Sequence, residues 1–144
     1  MFSRLLCLGV LAVLVAAPGC AKERESGPKL TGRVLVDGQP CRPASVNDFD
    51  LKFLTAEGVG PGKRSYLAEV QPDGTFTLNG SIGKGIPTGR YKVIIAGKVL
   101  DAAGKPTGRY LDRYSETKTP LEVEISDASR EVTVDLERKM AVVS

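Results

Sequence analysis

The chain has 144 residues, three cysteines, no histidine and no tryptophan, with 20 Lys+Arg against 17 Asp+Glu. Without histidine, His-based triads, His metal sites and most general-base schemes are excluded. The small, interspersed net charge argues against nucleic acid as a partner and makes no strong case for anionic lipid.

Met1 to Arg4 is short and positive, Leu5 to Ala17 is apolar apart from Gly9, and Pro18-Gly19 lead into Cys20. This is the n-region, h-region and small-residue boundary of an export signal. A membrane-spanning helix needs about 20 apolar residues, whereas this run ends much sooner in a helix-breaking pair. An N-terminal helix buried in the fold would instead need apolar cover on every side. Residues 1–19 therefore read as a signal peptide, and the resemblance of Ala17-Pro18-Gly19-Cys20 to a bacterial lipobox implies a lipoprotein-type one with Cys20 as its lipidation site. An ordinary signal-peptidase cut nearby would release a soluble protein instead. The segment Cys20-Ala-Lys-Glu-Arg-Glu-Ser-Gly-Pro28 is polar and aperiodic, so residues 20–29 read as a flexible tether. The expected location is the cell envelope, periplasmic or cell surface, with the membrane as a partner through the N-terminal lipid anchor.

Beyond the tether, apolar residues recur with period two in short runs separated by Gly, Pro, Asn and Asp. Leu30–Val36, Phe49–Leu54, Tyr66–Val70, Thr75–Asn79, Arg90–Ala96, Leu121–Ile125 and Val132–Leu136 read as strands with one wet and one dry face. The predicted core face comprises Leu30, Val34, Val36, Leu51, Phe53, Tyr66, Ala68, Val70, Phe76, Leu78, Tyr91, Val93, Ile95, Leu121, Val123, Ile125, Val132, Val134 and Leu136. No stretch carries an apolar stripe at helical spacing over three turns, and Gly and Pro recur too often for a long helix. The expected fold is all-β, a single seven-stranded antiparallel Greek-key β-sandwich of the prealbumin or Ig-like kind. It would span residues 30–137, leaving residues 138–144 as a C-terminal tail. Asp37-Gly38 and Asp73-Gly74 mark tight turns, and Ile86-Pro87-Thr88-Gly89 sets the entry to the Arg90 strand.

The stretch Gly32-Arg-Val34-Leu-Val36-Asp37-Gly38-Gln39-Pro40-Cys41-Arg-Pro43-Ala44-Ser-Val46 resembles the opening strand and turn of carboxypeptidase regulatory-like, or transthyretin-like, sandwich domains. Asp73-Gly74-Thr75-Phe76-Thr77-Leu78 and Gly89-Arg90-Tyr91-Lys92-Val93 are similar to that family's second and third hallmarks. Leu111-Asp-Arg113-Tyr114-Ser115, followed by Thr117-Lys-Thr119-Pro120-Leu121-Glu-Val123, resembles the ending of short lipoproteins abundant in planctomycete bacteria. Ala17-Pro18-Gly19-Cys20 is similar to a lipobox, with Ala17 where Leu is usual. The resemblance implies a sandwich fold and a surface location, and little chemistry. The family's enzymatic branch, which hydrolyses a purine-derived ring, relies on histidines and a Tyr-Arg-Gly-Ser ending; this chain ends Met140-Ala-Val-Val-Ser144.

Few residues suggest chemistry. With no His to activate it, Cys41 reads as a small buried hydrophobe; a Cys20–Cys41 disulfide is the minor alternative and requires Cys20 to escape lipidation. Asn47, Asp48 and Asp50 offer oxygens to Ca²⁺ but lack a full ligand series, and they read as the wet face of a strand. Lys52 and Lys92 alternate with core residues and should point to water, away from any isopeptide cross-link. The longest irregular stretch, Gly97 to Pro120, brings Arg109, Tyr110, Arg113 and Tyr114 together as a candidate partner-binding loop. The plainer account is that Tyr114 plugs the end of the sandwich while the cations stay solvated.

Together these observations suggest a non-catalytic envelope lipoprotein with no cofactor and no metal. Its sandwich would be a structural or binding module contacting an envelope protein or polysaccharide. The alternative is a soluble periplasmic carrier of a small ligand, which would need a preformed apolar cavity. An enzyme would need a cleft with converging carboxylates.

Overall fold

The computed structural model describes residues 26–41, 49–56, 64–80 and 84–144. Residues 1–19, expected to be a signal peptide, and Cys20 lie outside them, as do Asn47 and Asp48. The described residues form strands and turns, with no helix.

The seven expected strands are all present: β1 (Leu30–Val36), β3 (Phe49–Thr55), β4 (Ser65–Ala68), β5 (Thr75–Leu78), β6 (Gly89–Gly97), β9 (Glu122–Ile125) and β10 (Glu131–Asp135). Four short ones join them: β2 (Gln39–Pro40), β7 (Val99–Leu100), β8 (Pro106–Thr107) and β11 (Met140–Val143). One sheet runs β11-β10-β1-β2, with β5 also paired to β1; the other runs β4-β3-β6-β9. β7 and β8 make a separate small hairpin. The sheets share one hydrophobic cluster. Phe53 of one meets Phe76 of the other at a centroid distance of 6.2 Å, which is the face-to-face arrangement of a β-sandwich.

Three expectations are corrected. The strands number eleven among the described residues, because two-residue pairings carry too few side chains to show a period. The pairing is not wholly antiparallel, since β1 and β10 run parallel from Thr31↔Glu131 to Leu35↔Asp135. A parallel neighbour needs a long crossover, here supplied by the chain from β2 to β9. The third concerns the domain limits. Residues 138–144 are no tail: Lys139 takes a positive φ of 54°, and the chain turns back to pair β11 along β10 from Val132↔Val143 to Asp135↔Met140. Ala141 and Val143 pack against the core. At the other limit, the last tether residues are docked. The Ile86 amide donates to the Pro28 carbonyl at 3.2 Å, and Gly27 lies so close to Ile86 that a Cβ on it would sit 2.7 Å from the Ile86 carbonyl carbon.

The alternation placed the core well. Every residue of the predicted face is buried except Val36, which is half-buried against the cluster. Each fully buried Val, Leu, Ile or Phe contributes roughly 1.5–3 kcal/mol by removal from water. At the Asp37-Gly38 turn, φ values of 52° and 74° close the β1–β2 hairpin, as a two-residue primed turn requires.

Gly32 has a packing role. It lies directly opposite Phe76 across the β1–β5 pair, and a Cβ there would stand 2.6 Å from the Phe76 Cε2 atom and overlap the Val132 carbonyl. The phenyl ring occupies the space that a side chain would need, so β1 and β5 close over an aromatic-on-glycine contact. Gly32→Ala should therefore lower stability by about 1–3 kcal/mol, the usual cost of overpacking. Urea unfolding followed by circular dichroism reads this as a lower midpoint, and an unchanged midpoint contradicts the packing role.

Candidate functional site

The loop from Gly97 to Pro120 is built around the needs of β6. β9 pairs only with Gly89 to Lys92 of that strand, so the backbone beyond requires other partners. The Val93 amide donates to the Leu121 carbonyl at 2.9 Å and the Ile95 amide to the Tyr114 carbonyl at 3.0 Å. The Thr119 hydroxyl donates to the Val93 carbonyl at 2.6 Å. The segment thus covers the edge of β6 as a strand would.

This placement fixes the four loop residues singled out from the sequence. Tyr110 and Tyr114 are 2% and 0% exposed, so neither forms part of a contact surface. Tyr110 meets Phe49 edge-on at 6.0 Å and Tyr114 at 6.3 Å, giving an aromatic stack at one end of the sandwich. The Tyr114 hydroxyl donates to the Leu136 carbonyl, which ties the loop to the end of β10. Plugging by Tyr114 is thus what the structure contains, with Tyr110 beside it. Arg109 and Arg113 stay exposed; the Arg109 guanidinium lies 5.6 Å from the Tyr110 ring centroid, and Arg113 reaches Glu137 at 3.7 Å.

Other candidates are also taken up by the fold. Cys41 is 2% exposed, within the core cluster. Asp50, expected on a wet face, has a side chain only 13% exposed. Its Oδ1 accepts from the Lys98 ammonium at 2.8 Å and from the Val70 amide at 3.2 Å. It joins β3 to the segment after β4 and to the residue following β6, a role that alternation could not reveal because its partners are distant in sequence. Lys52 and Lys92, expected to point to water, are half-buried between core residues of β3 and β6. Among the described residues no group of three or more His, Cys, Asp or Glu could hold a metal ion.

Among the surface depressions, two are lined by arginines. One, of about 480 Å³, lies over the β5–β1–β10 face and is lined by Thr31, Arg33, Asp73, Thr75, Thr77 and Glu131 among others. The Arg33 Nε donates to Glu131 Oε1 at 2.8 Å. Asp73 accepts from the Thr75 hydroxyl at 2.6 Å and from its amide at 2.9 Å. The hydroxyl bond above all holds the Asp73 carboxyl below the usual carboxylate range. Each carboxylate is thus committed to a neighbour. The second depression, of about 260 Å³, is lined by Thr55, Arg64, Tyr66, Thr88, Arg90 and Tyr91 among others. Sequence reasoning passed over both, since their residues are the ordinary polar partners in alternating strands.

Compared with protein-family models, curated proteins and solved structures, the chain matches none.

The two loop tyrosines should respond oppositely to loss of the hydroxyl. The Tyr110 hydroxyl is buried with no hydrogen-bond partner, whereas that of Tyr114 has one. Tyr110→Phe should be neutral or stabilising, and Tyr114→Phe should cost about 1 kcal/mol, in thermal or urea unfolding. Burial pushes both phenols above their ordinary pKa of 10.0. A raised folded-state pKa means the contribution is intact below pH ~10 and is lost as pH rises through the folded value. Stability should fall across that alkaline window, and the double Phe variant should flatten the fall.

Proposed function

We propose that the chain is a small exported lipoprotein carried on a short tether from an acylated Cys20. Its domain is a transthyretin-like Greek-key sandwich acting without catalysis as a binding or structural module of the cell envelope. One observation carries this reading: the side chains best suited to chemistry are spent on holding the fold. Cys41, Tyr110 and Tyr114 are core. Asp50, Asp73 and Asp135 accept hydrogen bonds from backbone amides.

The Greek-key topology has support from Tyr91, whose hydroxyl donates to the Pro87 carbonyl at 2.7 Å. That bond returns to backbone four residues upstream at the start of a strand, as in the tyrosine corner of Ig-type sandwiches. The surface offered to an envelope protein or polysaccharide is the polar face over β5, β1 and β10. There Thr31, Thr75 and Thr77 stand beside the Arg33–Glu131 pair. Hydroxyls and a planar ion pair on a sheet face suit a polar, hydrogen-bonding partner.

Radioactive palmitate should label the wild-type chain and not Cys20→Ser, and equal labelling of both would end the lipoprotein reading. Crosslinking in envelope fractions should recover a partner that Arg33→Ala with Thr77→Ala recovers several-fold less. Undiminished recovery would clear this face of the role.

A further inference from the structure

The near-neutral charge of the whole chain conceals an uneven distribution along the sandwich. At the end where β1, β6 and β10 begin, Lys29, Arg64, Lys84, Arg90 and Arg130 are all exposed. The carboxylates at that end are Asp127, Glu124 opposite Arg90 in the β6–β9 register, and Glu131, which is paired with Arg33. The Arg130 guanidinium donates to the backbone carbonyls of Asp127 and Ser129 at 2.6 and 2.7 Å, which hold its orientation without neutralising it. Arg64 and Arg90 line one shared depression. The opposite end is mixed: Asp37, Asp73, Asp101, Asp112 and Glu137 stand in its turns and loop beside Lys98, Lys105, Arg109, Arg113, Arg138 and Lys139.

The basic end is also where the tether enters. Gly27 and Pro28 are fixed against Gly85 and Ile86, beside Lys29 and Lys84. Between Cys20 and this docked point the chain spans at most about 25 Å when fully extended. Resting on the proposal that Cys20 is acylated, we infer that the Lys29–Lys84–Arg90 end of the sandwich docks on the bilayer that holds the anchor, against anionic lipid headgroups. The short tether brings the cations into the narrow zone, about a Debye length deep, where a negative surface attracts them. Each cation that reaches this zone favours the docked over the freely tethered form by roughly fivefold. The mixed-charge end then faces away from the membrane, and the threonine-rich face of β5 and β1 stands open to the side.

Because the sequence has no tryptophan, an introduced one is a unique fluorescence donor. The acylated protein, carrying either Thr88→Trp at the basic end or Ala102→Trp in the turn of the β7–β8 hairpin, is placed in vesicles with a dansyl-headgroup acceptor lipid. The vesicles are phosphatidylcholine alone or with phosphatidylglycerol added. Energy transfer from the Thr88→Trp variant should rise on adding phosphatidylglycerol and fall back at high salt, while transfer from the Ala102→Trp variant stays low throughout. Lys84→Gln with Arg90→Gln should shift the docked population about 25-fold toward the free form; Lys29→Gln with Lys84→Gln is a second pair that should do the same. Lys105→Gln with Arg109→Gln, at the far end, should have no effect. Transfer that ignores phosphatidylglycerol, or equal loss from the near and far pairs, overturns the docking. The intact mass of the same preparation reports acylation separately. If no acyl chain is found, the anchor reading fails by itself, and coupling the Cys20 thiol to a maleimide lipid restores the tether so that docking is still read.

Discussion

β6 is nine residues long, and β9 pairs with only its first four. The remainder of that strand would present bare amides and carbonyls at a sheet edge, an expensive exposure if buried and a sticky one if not. The loop after β8 resolves this by lending the carbonyls of Tyr114 and Leu121 and the hydroxyl of Thr119. Once the loop is held there, its inward residues have nowhere to go except the end of the core. Tyr110 and Tyr114 therefore become the lid of the sandwich, and Arg109 and Arg113 are left outside it. What resembles a binding loop in sequence is an edge strand in function.

The division between what the sequence disclosed and what it withheld follows from the range of each signal. Alternation is local, and it marked β1, β3, β4, β5, β6, β9 and β10 with boundaries off by a residue or two, together with nearly every inward side chain. Turn chemistry at Asp37-Gly38 is equally local. β11 escaped because Met140, Ala141, Val142 and Val143 are all apolar, so no period exists to count. Tyr110 escaped because it stands among charges in a long loop, at a spacing that fits no strand, whereas Tyr114 was legible as a plug because long loops are packed by their own large side chains. The acid at position 50 obeyed its alternation and still was not solvated, because Lys98 and the Val70 amide come to it from far along the chain. Long-range partners decide such roles, and a single sequence does not display them.

The same difference in range explains the candidate sites. Nothing in the order of residues says that Arg33 will face Glu131, yet the parallel β1–β10 pair sets them side by side with Thr31 and Thr133. Nor does it say that Lys29, Lys84 and Arg90, spread across three connections, will meet at one end. Both surfaces are products of topology acting on residues that individually look like routine solvent-facing partners.

The turns give this charge arrangement a structural cause. At the end away from the tether, three connections depend on an aspartate that caps its own turn. Asp73 binds the Thr75 amide, Asp101 those of Ala103 and Lys105, and Asp135 those of Glu137 and Arg138. Such self-bonding turns are a principal use of Asp in loops, and they collect negative charge wherever they cluster. At the tether end, the connections are made by other means: Gly and Pro around Ile86, and the Ser126–Ser129 pair before β10. Among the described residues at that end no aspartate side chain bonds its own turn, and Lys29, Arg64, Lys84, Arg90 and Arg130 outnumber Asp127, Glu124 and Glu131. The surplus of cations at the tether end thus exists before any partner is considered. A tether attached to one end converts that built-in asymmetry into an orientation, because it determines which sign of charge any anchoring surface meets first.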